Sequence, residues 1–259
     1  MKRIIAILLS ALFILNLSAA FAEGEPYRYE GSGYVSPEDA LIAYVNAMSC
    51  GDFTGMLSVF AIESFVANAD PSQLHNARSA SGLVDASSNI VVNDEYTRHL
   101  KLMRRCSEIT NVLYTQYVFF TGTEGQQMLE TRIVRVRDEE DNAQYMELFA
   151  ENRFAQIFSG CEVIEPVDPA DASEKYSNGV VQETLTTNCF IYGCDEIRSA
   201  AIWIRTPEEV YLLTADCGRY GDKWYILELG GTLGTLLRIS RNTGGLISYS
   251  ALLLFEHVE

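Results

Sequence analysis

Positive charge is scarce in this 259-residue chain: 19 Lys and Arg stand against 35 Asp and Glu, a formal net charge of −16. A nucleic-acid binder carries a basic patch to neutralise phosphates, so this balance argues against nucleic-acid partners. Histidine is scarcer still, and His75, His99 and His257 do not fall at metal-ligand spacing. Each reads as a surface or helix-flank residue. There is no phosphate-binding Walker loop, no G-x-S-x-G elbow, no H-E-x-x-H helix and no EF-hand loop. Neither a metal nor a cofactor is therefore expected. Beyond residue 22 no apolar run is long enough to span a bilayer; Ser248 to Phe255 is too brief. A 48% hydrophobic content excludes a disordered or collagenous chain.

The exception is the N-terminus. Lys2 and Arg3 precede an almost wholly apolar stretch from Ile4 to Leu17, and Ala20-Phe21-Ala22 supplies a small-x-small cleavage pattern. Residues 1–22 are read as a secretory signal peptide, which places the mature chain outside the cytoplasm with no stable membrane insertion. An uncleaved single-span anchor is the alternative. Loss of the signal removes two basic residues and leaves the remainder at −18. Such a charge keeps a secreted protein soluble and disfavours anionic partners. Secretion also permits disulfides among Cys50, Cys106, Cys161, Cys189, Cys194 and Cys217. Six cysteines allow many pairings, and one or two bridges, or none, fit the sequence equally.

Residues 23–35 read as a flexible leader without core periodicity. Ser36 then offers an N-cap, Pro37 suits a first helical turn, and Leu41, Tyr44, Val45 and Met48 fall on one helical face. Gly51-Asp52 breaks the chain before a second short helix with Phe53, Met56, Leu57 and Phe60. Residues 68–94, rich in Asn, Ser, Asp and Ala, are expected to form an insertion, with a short strand open at Ile90–Val92. A third helix is expected around 96–107. Residues 112–121 and 128–137 read as a β-hairpin about Gly122–Gly125. Acidic residues 138–141 read as a solvated turn, and 165–178 as a connection. The clearest β signal comes last, an antiparallel meander of 200–206, 210–217 and 223–229, followed by Gly230-Gly231 and a short helix.

Helices followed by strands indicate an α+β fold, with N-terminal helices packed on a curved antiparallel sheet. The Ser36–Phe60 stretch, SPEDALIAYVNAMSCGDFTGMLSVF, resembles the opening of the NTF2-like superfamily, which includes SnoaL and ketosteroid-isomerase-like proteins. The Gly221–Ile226 stretch, GDKWYI, is similar to that group's closing hairpin. The resemblance implies a cone-shaped sheet over residues 36–259, an insertion and C-terminal extension beyond the usual pattern, and a homodimer paired through the open sheet face.

Two acids stand out. Asp is depleted in strands, yet Asp216 alternates with Val210, Leu212 and Thr214, and Glu228 alternates with Trp224 and Ile226. If the register put both on an inner face, an apolar cavity would raise at least one pKa and suit proton transfer. Otherwise they face solvent or strand ends. Tyr44, Tyr117, Tyr211 and Trp224 lie on predicted elements, as pocket lining or as plain core. Gly230-Gly231-Thr232-Leu233-Gly234 has a phosphate-cradling geometry, but a strand-to-helix turn accounts for it better. The expected function is a secreted, non-catalytic binding or interaction module for a small molecule or protein. The alternatives are a small-molecule isomerase or hydrolase using cavity carboxylates, and a structural domain of a cell-surface assembly.

Overall fold

The computed structural model describes residues 28–69, 95–120 and 157–256. Helix α1 (Pro37–Ser49) starts as its sequence dictates: the Ser36 hydroxyl accepts from the Asp39 backbone N–H at 3.1 Å, with Pro37 in the first turn. Its apolar face buries Leu41, Tyr44, Val45 and Met48; each such burial contributes about 1.5–3 kcal/mol. Helix α2 (Phe53–Ser58) is capped by Asp52, whose carboxylate accepts from the Gly55 N–H.

Helix α3 (Glu63–Asn68) is held by a reciprocal exchange. The buried Glu30 carboxylate accepts from the backbone N–H groups of Ile62 and Ser64 and from the Ser64 hydroxyl. In return, the Glu63 carboxylate accepts from the N–H groups of Tyr29 and Glu30. Tyr34 exchanges both backbone hydrogen bonds with Trp224. From Arg28 onward, then, the stretch expected to be a free leader is tied into the fold, because its polar groups satisfy a helix end and a strand edge.

Helix α4 (Glu95–Phe120) corrects a sequence expectation. Residues 112–120 continue the helix instead of forming a strand. Their β-branched and aromatic character favours a strand locally, but Cys106, Ile109, Leu113 and Tyr117 repeat at helical spacing and all reach the core. The expected partner strand at 128–137, the acidic turn at 138–141, the signal peptide and nearly all of the 68–94 insertion lie outside the described residues.

Strand β1 (Glu162–Val167), helix α5 (Pro169–Ala172) and a 3-10 turn (Glu174–Ser177) occupy part of the expected connection. Helix α6 (Gly179–Tyr192) follows, unread in the sequence. The meander is present as β2 (Glu196–Arg205), β3 (Val210–Tyr220) and β4 (Lys223–Leu229). Helix α7 (Gly231–Leu236), a 3-10 turn (Arg241–Thr243), β5 (Leu246–Ser248) and α8 (Tyr249–Glu256) are the last of the described elements. The sheet is antiparallel, in the order β1-β2-β3-β4, and β5 pairs with β3 as well. One edge of β3 is shared: residues 211–213 pair with β5 and 215–220 with β4. Between them, Thr214 bonds the Gly245 carbonyl and the Gly230 N–H.

Helices cover both faces of the sheet. On the first, α1 packs with Ala200, Ile202, Ile204, Leu213, Ala215, Cys217 and Ile226. On the second, Ala201, Leu212 and Ile247 meet Leu233 of α7, while Ile197 and Leu227 meet Leu185 of α6. The architecture is thus α+β, and among the described residues the sheet is open.

Two buried polar side chains fasten α4. The Gln116 side chain, fully buried, accepts from the Tyr44 hydroxyl at 2.6 Å and donates to the Thr243 and Gly244 carbonyls. The Arg105 guanidinium donates to the carbonyls of Ala61 and Leu227 and lies 4.7 Å over the Phe65 ring. A buried donor left without an acceptor costs about 1–3 kcal/mol. We expect Gln116→Leu to lower unfolding stability by that amount in urea, and Tyr44→Phe placed in the Gln116→Leu background to recover part of it. Additive losses in the double variant would show that the pair is not coupled.

Candidate functional site

The two acids singled out in the sequence do come together. The register pairs Asp216 directly with Glu228, and a bulge follows between Asp216 and Cys217. They share a face, but it is the face turned away from α1. Ala215 and Cys217, the neighbours of Asp216, point into the α1 core, so alternation along the strand sends Asp216 the other way.

Asp216 is buried and its carboxylate is fully engaged. Oδ1 accepts from the Ser199 hydroxyl at 2.5 Å; Oδ2 accepts from the backbone N–H of Thr232 at 2.9 Å and from its hydroxyl at 2.7 Å. The helix α7 N-terminus thereby receives the cap that Gly230 cannot supply, since no side-chain cap stands there. The approach is so close that a Cβ on Gly231, itself at φ 55°, would stand 2.4 Å from Asp216 Cγ. The glycine-rich turn therefore holds an anion, but one supplied by the protein's own β3.

Burial pushes the Asp216 carboxyl above its ordinary range, against the opposing effect of its Ser199 and Thr232 hydrogen bonds. Glu228 keeps access to solvent, yet the protein around it strips part of its hydration. Its carboxyl is also raised, first by that desolvation and then by the charge of Asp216, with Arg241 and Arg105 opposing.

The four aromatic candidates scatter. Tyr44 is core, its hydroxyl satisfied by Gln116 and its pKa pushed up by burial. Tyr211 packs against the rings of Phe120 and Phe158, each 5.9 Å away. Trp224 is buried under the Arg198 guanidinium at 5.4 Å. Tyr117 lines a concave surface. A groove of about 470 Å³ runs between α2 and α4, walled by Phe53, Thr54, Leu57, Thr110, Leu113, Tyr114 and Tyr117. Phe53 and Tyr117 meet edge to face at 5.8 Å.

This wall was legible only through helical phase: Thr110, Leu113, Tyr114 and Tyr117 lie one face apart at i, i+3, i+4 and i+7. Once 112–121 is read as a strand, that alignment disappears. Among the described residues no three His, Cys, Asp or Glu side chains converge to hold a metal, and no helix is long and apolar enough to cross a membrane. Of the three histidines, His99 is exposed, and His75 and His257 lie outside the described residues; in the expected connection, Asp168 caps α5 by accepting from the Ala170 N–H.

The raised acids set a pH dependence. The unfolded chain gives up these protons at lower pH than the folded protein does. Stability therefore falls as pH rises from the ordinary carboxylate range through the raised folded values. Glu228→Gln removes one of the titrating groups and its charge from beside Asp216. We expect a shallower decline of the unfolding midpoint as pH rises above the ordinary carboxylate range; a decline as steep as that of the parent protein would contradict the assignment.

No protein-family model matches the chain, and no curated protein matches it. Among solved structures, a cystatin-like protein from Ruminococcus gnavus ATCC 29149 is similar over 73% of this chain, with a TM-score of 0.40 and 12% sequence identity. The match covers 38% of that protein's chain.

Proposed function

We propose that this protein is a secreted, non-catalytic binding module of NTF2-like, cone-sheet type, and that it takes an apolar or aromatic ligand in the α2–α4 groove. The groove itself carries the reading. Ligand sites are concave, mostly apolar and furnished with a few polar groups, and here Phe53, Leu57 and Leu113 provide the apolar wall while Thr54, Thr110, Tyr114 and Tyr117 bear hydroxyls. The helix pair packed on an antiparallel sheet and the closing β3–β4 hairpin are consistent with the NTF2-like resemblance. Secretion rests on Lys2, Arg3, the apolar run and Ala20-Phe21-Ala22. Dimerisation through the second sheet face would have to displace Leu233 of α7 from Ala201 and Leu212, so the single chain is taken as the binding unit.

A second reading, an isomerase or hydrolase, is favoured by the pairing of Asp216 with Glu228 and their raised carboxyls. It requires a substrate space above the pair. Thr232 stands over Asp216 and consumes its second oxygen, which leaves Glu228 as the group able to exchange a proton with a substrate.

The binding reading is tested with a neutral apolar dye, Nile red, on the mature protein. Thr110 lies exposed on the groove wall, so Thr110→Trp fills the groove without opening the core. Dye affinity is expected to fall about tenfold or more, equivalent to about 1.4 kcal/mol, with an unchanged unfolding midpoint. Equal affinity in the two proteins would remove the groove as the ligand site.

A further inference from the structure

Helix α6 ends in a turn with a thiol at each end. Gly193 adopts left-handed backbone at φ 65°, and a Cβ there would stand 2.0 Å from the Asn68 carbonyl oxygen. Glycine is the residue that can close the helix at this point. The backbone N–H of Cys194 then donates to the Cys189 carbonyl at 3.2 Å. A helix end closed in this way brings the side chains of those two positions against each other. Here both are cysteines. Both are half-buried at the margin of the small core formed by Leu185, Ile197 and Leu227. The other four thiols are placed differently: Cys106 and Cys217 are sealed in the main core, Cys161 faces the Val45 carbonyl, and Cys50 is exposed.

We propose that Cys189 and Cys194 form a reversible dithiol–disulfide site that clasps the end of α6 to the start of β2. In the present structure both are free thiols. Oxidation proceeds by exchange with a low-molecular-weight disulfide. The Cys189 thiolate attacks one sulfur, the disulfide bond breaks, and one thiol leaves carrying the proton Cys189 gave up. Cys194 then loses its proton and attacks the Cys189 sulfur of the mixed disulfide, releasing the second thiol. Two cysteines are oxidised by two electrons, and one disulfide is reduced to two thiols.

The order follows from desolvation. Burial raises both thiols and, followed by the Cys189 charge, pushes Cys194 up to about 12, so Cys189 is the first to ionise. Both thiols are raised, so exchange is slow at neutral pH and accelerates as pH rises. The bridge would brace more than one helix end. Asp195, next in the chain, donates its N–H to the Arg219 carbonyl and accepts from the Gly221 N–H, so it already links α6 to the β3–β4 turn.

The test uses the mature protein, first reduced, then incubated with oxidised glutathione at alkaline pH, alkylated under denaturing conditions and digested with trypsin. No Lys or Arg lies between Lys175 and Arg198, so a single peptide, 176–198, carries both cysteines. The expected result is a peptide lighter by two hydrogens and unalkylated, reverting to two alkylated cysteines after dithiothreitol. In Cys194→Ser the same peptide should stop at the glutathione mixed disulfide on Cys189. A peptide 176–198 alkylated twice after oxidant, or cross-linked to another peptide, would overturn the proposal. The Cys194→Ser protein must show the parent's circular dichroism; if it does not, Cys194→Ala provides the same reading.

Discussion

The structure depends on a strand that has no wet face. Antiparallel sheets commonly leave one face to solvent, but β3 is buried continuously from Leu212 to Gly218. Its odd-numbered residues face the α1 core, while Leu212 packs against Leu233 of α7, Thr214 and Asp216 bond the start of α7, and Gly218 lies against Leu227. A polar side chain in such a strand is tolerated only when its hydrogen bonds are complete. Thr214 meets this by bonding the Gly230 carbonyl, and Asp216 by accepting from Ser199 and Thr232. The demand runs in both directions. The carboxylate needs the helix end, and the helix end, with glycine at its cap, needs the carboxylate. Fixing α7 in turn brings Leu233 over Ala201 and Leu212, which seals the second face of the sheet.

A similar exchange of obligations places the groove. Helix α4 is anchored by Gln116 to Tyr44 and the Thr243–Gly244 backbone, and by Arg105 to Ala61 and Leu227. Those anchors hold it beside α2 at a separation that leaves a cleft instead of a closed packing. Directional polar bonds set the spacing, and apolar side chains then line what remains. A groove formed in this way is presented by two helices held from behind, so its shape is set by the fold itself.

The α+β class, the start of α1, the Gly51-Asp52 break, the meander and the turn at Gly230 were all legible, because each rests on local chemistry: a cap, a glycine, an alternation. The run from Val112 to Phe120 was not, since its local preference is β and its helix is set by contacts with α1 and the main core. Helix α6 went unread because Thr184, Thr186, Thr187 and Asn188 blur its periodicity. The pairing of Asp216 with Glu228 was visible as a possibility, but its meaning turned on register and face. The sequence could not show that the helix following β4 folds back to consume the Asp216 carboxylate, as that bond joins residues 16 apart. Of the aromatic candidates, Tyr44, Tyr211 and Trp224 serve packing because every face of β3 must be covered, and Tyr117 reaches the groove because it sits on the helix that borders it.

The most direct test of the binding account is a native mass spectrum of the protein recovered from its native source, compared with a denaturing spectrum of the same sample. The account predicts a small co-purifying mass in the native spectrum that disappears on denaturation and is absent from Thr110→Trp prepared in the same way. A bare protein mass in both spectra, or a bound mass retained by Thr110→Trp, would contradict the assignment of the α2–α4 groove as the functional site.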